Sequence, residues 1–482
     1  MSFALVFRIQ GFLLIMLGLS MCAPPLVGLA YGQHGQQHFV LSIAITLLCG
    51  LSLAVCLPRT RKNISQREGF LIVSLGWMLA SLFGCLPFLF DGTCATLTDA
   101  YFETVSGFTT TGSTILKKIE GLPLSTLFWR SMIQWLGGMG IIVFSIAILG
   151  VLGIGGMQLF KAEVPGPVVE KIKPRIAETA RSLWKVYAML SAAMTLLLML
   201  CGMDLFEALC HTFTTMATGG FSTRDISIEA FGNPMIEMVI LFFMFAAGMN
   251  FVLHYRSLHG KFKHLRTDRE FLVYLAITAA ATLLISLSLY GSGTFTSMLT
   301  ALRHSAFQVV SILTTTGYSS VNFDTWPHFS KLILLLLMFI GACAGSTAGG
   351  IKCIRGLLVC KVGYRELFYT VHSHAVSSVK VAGKPVAEPI LRSVVVFVVL
   401  YIIIFFIGAL FMAQCGLDPV SALSASAACL GNVGPGLGSV GPYGNFAFIP
   451  AFGKWVLIML MLLGRLEIYT LLILLVPAFW RK

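Results

Sequence analysis

Four short stretches of the chain carry residue types suited to one piece of chemistry, the stripping of water from a cation. They read TTTGST at residues 109–114, ATGGFST at 217–223, TTTGYSS at 314–320 and LGNVGPG at 430–436. Each follows about three turns of helix-forming residues and places two small or hydroxyl-bearing residues before a glycine: Gly112, Gly219, Gly317 and Gly434. Rings of backbone carbonyl oxygens replace the hydration shell of an ion, and the partially negative C-terminal end of each preceding helix points to where its loop begins. The glycines stand 107, 98 and 117 residues apart, so a unit of about one hundred residues occurs four times, too long for a solenoid repeat. A single copy reads as close packing between membrane helices. Four copies in the same place between apolar runs read as a ring.

The elements that must hold such loops are membrane helices. The chain has 482 residues, 57% hydrophobic and 11% charged, with mean hydropathy +0.88. That composition defines an integral membrane protein and gives no grounds for a nucleic-acid partner. Apolar runs of helical length are predicted at 3–29, 39–57, 70–90, 127–154, 184–201, 235–253, 271–289, from 332, 394–412 and 455–479. The expected fold is an all-α membrane protein: two N-terminal helices (1–60), then four pseudo-repeats (68–160, 182–256, 270–370 and 390–482). Each repeat is a helix, a pore helix with a filter loop, and a second helix, all around one central pore. Non-helical backbone at that depth must be buried in protein or line a watery path. The run at 3–29 leads into another span and reads as a retained helix although Cys22 imitates a lipoprotein signal. Twelve scattered cysteines, without a CxxC pair, read as small packing residues.

Charge gives the orientation. Of 33 Lys and Arg residues, 25 fall at Arg8, in the basic connections (Arg59 to Arg67, Lys161 to Lys185 with its breakers Pro165, Pro167 and Pro174, His254 to Arg269, Lys352 to Arg392) or at the tail; seven lie on the loop side and Arg465 sits inside a span. By the positive-inside rule the connections and both termini are cytoplasmic. Eleven of 20 acidic residues, among them Asp91, Asp99, Glu103, Asp204, Glu207, Asp225, Asp324 and Asp418, share the outer side with the loops. An acidic mouth raises the local cation concentration.

Two departures from the repeat stand out. In the third unit the last helix is interrupted by Gly345, Ser346, Thr347, Ala348, Gly349 and Gly350, and interior glycine costs a helix about 1 kcal/mol relative to alanine. A broken span at mid-depth suits a constriction that opens and closes; the plainer alternative is a close helix crossing. Arg465, in the final span, reads as a positive charge below the loops that limits cation leak, or as half of an ion pair with another helix; Glu467 lies on a different helical face. Enzyme-like motifs are chance matches. Gly436, Gly438 and Gly441 fit a dinucleotide fingerprint without a preceding strand, Gly345 to Gly350 imitates a phosphate loop with Ile351 in place of lysine, and His372 with His374 is too few ligands for a transition metal. An ion-coupled carrier of a small organic solute is the rival function, but it would call for charged or aromatic groups at mid-depth and inverted repeats.

The four loops, the interrupted span GACAGSTAGG and the terminal GRLEIYT together resemble the TrkH family, the membrane subunits of bacterial Trk potassium uptake within the Trk/Ktr/HKT superfamily. The resemblance covers essentially the whole chain, and the two extra N-terminal helices favour this family over the shorter KtrB proteins. It implies potassium transport across the bacterial inner membrane, by a gated channel or a proton-coupled symport, through a homodimer with one pore per subunit. It also implies a cytoplasmic TrkA-type ring that carries the regulatory nucleotide, so that K+ is the transported ion and no cofactor sits on this chain beyond contacts with membrane lipid. Carried over by motif, the K+ filter would be Thr110, Thr111 and Gly112; Ala217, Thr218 and Gly219; Thr315, Thr316 and Gly317; and Asn432, Val433 and Gly434. The segment from Gly345 to Gly350 would be the gate and Arg465 the pore arginine. The fourth loop lacks a threonine pair, which predicts a chemically uneven ring.

Overall fold

Apolar runs in a bilayer must satisfy their backbone internally, which leaves helices as the available structure. The computed structural model describes residues 1–58, 65–151, 176–375 and 377–481, and their regular structure is almost entirely helical. The basic residues at 59–62, the predicted end of a span at 154, most of the connection that begins at Lys161 and Lys482 lie outside the described residues. Among the described residues six helices are long and apolar enough to cross a membrane, or up to eight if each bent pair counts as one span. The only strands described form a two-residue hairpin, Lys380–Val381 against Lys384–Pro385.

The N-terminal part is Phe3–Ser20 and Ala23–Ala30, one apolar stretch jogged before Pro24, followed by Gln37–Cys56. Gly11 lets the first of these cross Gln37–Cys56 closely, since a β-carbon there would sit 2.7 Å from the Gly50 carbonyl oxygen. Four units of like build follow. Their leading helices are Gln66–Gly84, Ile176–Leu200, Arg269–Gly291 and Glu388–Gln414. The first of these opens on a capping box between Ser65 and Glu68.

Each leading helix hands over to a short one: Leu97–Phe108, Leu205–Met216, Met298–Leu313 and Pro419–Leu430. Thr96, Asp204 and Asp418 cap three of them by accepting N–H bonds of the first turn. The hydroxyl and N–H of Ser421 hold the Asp418 carboxyl below its ordinary pKa, so the cap stays anionic at the positive helix end. The layers separate by burial. Only 28–39% of each long apolar stretch is covered by protein, whereas every residue from Ala100 to Phe108 and from Phe307 to Leu313 is buried. The long helices therefore face lipid, and the short helices form the interior.

The trailing helices are not alike. The first, Leu124–Val151, is continuous as far as it is described. The third breaks between His328–Ile340 and Cys353–Val371, around the predicted interruption. The second and fourth, expected to be continuous, also break: Pro234–Ala247 bends by 103° into Phe251–Leu258, and Ala451–Arg465 by 117° into Tyr469–Leu475. Gly248 and Asn250 lie at the first bend, with the Asn250 side chain capping the new helix. At the other, Glu467 and Ile468 adopt left-handed φ of 56° and 41°.

Candidate functional site

The four loops share one backbone turn. After each short helix an N–H reaches back five residues to a carbonyl at 2.8 Å: Thr111 to Ser106, Gly219 to Thr214, Thr316 to Ser311 and Val433 to Ala428. The preceding N–H of Thr110, Thr218, Thr315 and Asn432 bonds three residues back. This pair of bonds is the Schellman closure of a helix, which needs a left-handed residue in the middle. That residue is Thr110 (φ 51°), Thr218 (55°), Thr315 (58°) or Asn432 (54°), and two residues later comes a left-handed glycine: Gly112, Gly220, Gly317 or Gly434.

The match corrects the register of the second loop by one residue. Its central glycine is Gly220, not Gly219. Ala217 caps the short helix where Thr109, Thr314 and Gly431 do in the others. Both Gly219-Gly220 positions are glycine, so the sequence alone offered two registers; the left-handed φ of 71° belongs to Gly220.

The loops close on one another in cyclic order. A β-carbon on Gly112 would overlap the carbonyl oxygen of Gly219, one on Gly220 that of Thr316, and one on Gly317 that of Val433; on Gly434 it would come within 2.7 Å of the Thr111 oxygen. Loop one thus abuts loop two, two abuts three, three abuts four, and four returns to one. The four carbonyls occupy equivalent positions, each one residue before the left-handed glycine. The uneven side chains of loop four do not break the ring, because Val433 contributes the same backbone oxygen as Thr111, Gly219 and Thr316. Asn432 ties the join by donating to Thr111 Oγ1 (2.9 Å) and the Met461 carbonyl (3.0 Å). Thr110 Oγ1 and Asn432 Oδ1 are buried and take no hydrogen bond from the described residues. All four left-handed glycines line one pocket, together with Arg224 and Asp225.

The interrupted segment lies against this ring. Gly349 N–H donates to Thr315 Oγ1 at 2.8 Å, and Thr347 Oγ1 donates to the Met216 carbonyl at 3.1 Å. Arg465, 3% exposed, donates to the Thr347 carbonyl at 2.7 Å and to that of Gly137 at 3.4 Å. Its described partners are therefore backbone oxygens and not an acid. Glu467 instead meets Lys352 (2.8 Å) and Arg355 (2.6 Å), across the break of the third unit. The segment and its approach are pinned by the break of the second unit, where Cys343 N–H donates to the Gly248 carbonyl (3.0 Å) and Phe251 N–H to that of Gly345 (3.1 Å), and by the third leading helix, where Glu270 accepts the Ala344 N–H (2.6 Å).

The acids of the outer side are less free than their number implies. Glu103 is buried against Arg130 at 2.7 Å, Asp99 pairs with Lys454 at 2.6 Å, Glu207 with Arg224 at 2.5 Å, Glu237 with Arg303 at 3.3 Å and Asp324 with Lys331 at 3.8 Å. Five of the seven basic residues expected on that side are thus spent on acids of the same side. Among the described residues no cluster of three His, Cys, Asp or Glu side chains is arranged for a metal ion, and His372 and His374 are exposed.

These features describe a helical membrane protein whose four loops share one backbone turn and abut one another in cyclic order. The chain belongs to the TrkH family of cation transport proteins, whose family model matches residues 35–482. It is 43% identical to the Trk system potassium uptake protein TrkH of Salmonella typhimurium over 100% of both chains, and 36% identical to the potassium uptake protein TrkG of Escherichia coli over 98% of this chain and 97% of that one. The crystal structure of the potassium transporter TrkH from Vibrio parahaemolyticus superposes with a TM-score of 0.92 at 41% identity, covering 100% of each chain. These relatives are transporters and not enzymes.

Proposed function

We propose that the chain takes up potassium across the bacterial inner membrane through the ring of four loops. The observation that carries the reading is the closed cyclic contact of the four loops, in which an equivalent carbonyl of each loop meets the glycine of its neighbour. Such oxygens replace water around a dehydrated cation without needing a charged side chain. In this reading Thr110–Gly112, Thr218–Gly220, Thr315–Gly317 and Asn432–Gly434 supply the filter, with Ala217 as a helix cap behind it. The segment from Gly345 to Gly350 is the gate, because it bonds to loop three and to the end of the second short helix. Arg465 sets a fixed positive charge beside that gate and opposes cation leak when it is closed.

The basic connections and both termini face the cytoplasm in this reading, where a TrkA-type ring carries the nucleotide and acts on the gate, and the unit of function is a homodimer. The same pore serves a gated channel and a proton-coupled symporter, which the reversal potential in a pH gradient separates.

The test is cation flux into proteoliposomes holding the purified protein, comparing potassium, rubidium and sodium for wild type and Gly112→Ser. Potassium-selective flux that the serine relaxes toward sodium supports the filter. Unchanged selectivity in the variant, or no cation flux at all, removes it.

A further inference from the structure

Nine residues before each left-handed glycine the short helices carry Glu103, His211, Gln308 and Ala425, all fully buried. The three polar ones reach the limb of the loop that follows the ring. Glu103 accepts the Ile115 N–H at 3.0 Å and the Thr114 hydroxyl at 3.0 Å. The Gln308 amide, turned to satisfy both of its ends, accepts the Ser320 N–H at 2.9 Å and donates to the Tyr318 carbonyl at 3.2 Å. His211 Nε2 lies 3.1 Å from the Ser222 hydroxyl. In the fourth unit Ser424 substitutes for its apolar neighbour, accepting the Leu437 N–H at 2.9 Å. Ile115, Ser320 and Leu437 each stand three residues after their glycine, so three units pin the same N–H from behind.

Only the first of these posts is an acid. A buried carboxylate is strongly destabilising unless it is paired, and Arg130 of the trailing helix supplies the partner, with Nε 2.7 Å from Glu103. Arg130 reaches farther than pairing requires. Its Nη1 donates to the Ser222 carbonyl at 2.9 Å, and its guanidinium stacks 3.6 Å over the Phe221 ring. Phe221 and Ser222 directly follow Gly220. One planar, forked cation therefore holds loop one through Glu103 and loop two through Ser222 and Phe221.

We propose that Arg130 is a positioning residue that fixes the first two loops relative to each other and so sets which cation the ring admits. The inference rests on the filter reading above. Arg130 touches no ion in this scheme; it acts through the placement of the Thr111 and Gly219 carbonyls, whose geometry and field decide selectivity.

The test uses full-length protein in proteoliposomes, with two readouts, the potassium-to-sodium flux ratio and thermal unfolding. Arg130→Lys keeps the charge beside Glu103 but lacks the fork that bonds Ser222 while stacking on Phe221. Its melting temperature should stay near wild type while the flux ratio falls at least threefold. The pair Glu103→Gln with Arg130→Leu removes both buried charges and keeps the acceptor for Ile115, as Gln308 does in the third unit; its ratio should fall about tenfold in a folded protein. A wild-type ratio in either folded variant overturns the proposal. Failure of both to fold makes the pair a support of the whole fold and overturns it equally. Gly112→Ser run alongside separates the two ideas: relaxed selectivity there with none in Arg130→Lys leaves the filter standing and discards the positioning role, whereas no change in Gly112→Ser discards the filter and this inference with it.

Discussion

Threonine at left-handed φ is an uncommon choice, because a β-branched side chain crowds the backbone there at a cost of about 1–2 kcal/mol. Thr110, Thr218 and Thr315 all accept it. Strain of this kind persists where surrounding contacts over-determine it, and it clusters at functional sites. Here the reciprocal helix-closing bonds and the neighbouring loop hold each residue in place. The glycines two residues later are under a harder constraint, since any side chain meets the backbone of the next loop. Gly219 differs, because a β-carbon there would meet a side chain and not the backbone of the next loop: the amide of Gln134, which donates to the Gly219 carbonyl and accepts the Phe221 N–H. Gly220→Ala should therefore abolish potassium selectivity in the flux assay while Gly219→Ala retains at least a tenth of wild-type flux. The reverse order would restore the register that centres the loop on Gly219.

Among the elements, the breaks of three trailing helices are tied to each other. Gly248 and Phe251 of the second bond the interrupted segment of the third, and Lys352 and Arg355 of the third hold Glu467 at the break of the fourth. Glu467 is 17% exposed and Arg355 5%, so the cluster is largely withdrawn from water. Removing one partner of such a pair leaves a charge uncompensated, at a cost of about 3 kcal/mol. Glu467→Gln should lower the melting temperature by several degrees and raise basal cation flux, because the segment below the ring loses a tether. A variant that is less stable but leaks no faster would separate this cluster from gating.

For the whole molecule, the prediction concerns sidedness. The chain carries net charge +13, concentrated in the connections between units and at the ends. Cys56 precedes the first of these connections and Cys360 lies in the last, and both are exposed. An impermeant maleimide should label the protein in inside-out vesicles and not in intact cells, and Cys56→Ser with Cys360→Ser should remove most of the signal. Labelling of intact cells would invert the topology.

The membrane class, the helical build, the fourfold loop and the interrupted third trailing helix were legible from residues alone, because each rests on local composition: apolar length, glycine spacing, hydroxyls after a helix. The breaks in the second and fourth trailing helices were not. Gly248 and Asn250 give a faint signal, but the Leu-Glu-Ile at 466–468 reads as ordinary helix, and the bend there comes with the pairing of Glu467 to Lys352 and Arg355, more than a hundred residues away. Likewise Glu103 counted as a mouth acid until the fold placed Arg130 against it. Local sequence determined that a helix closes into a glycine turn at each of the four loops. Only the tertiary structure decided which turn faces which, because burial and charge pairing are properties of neighbours that the chain brings together from afar.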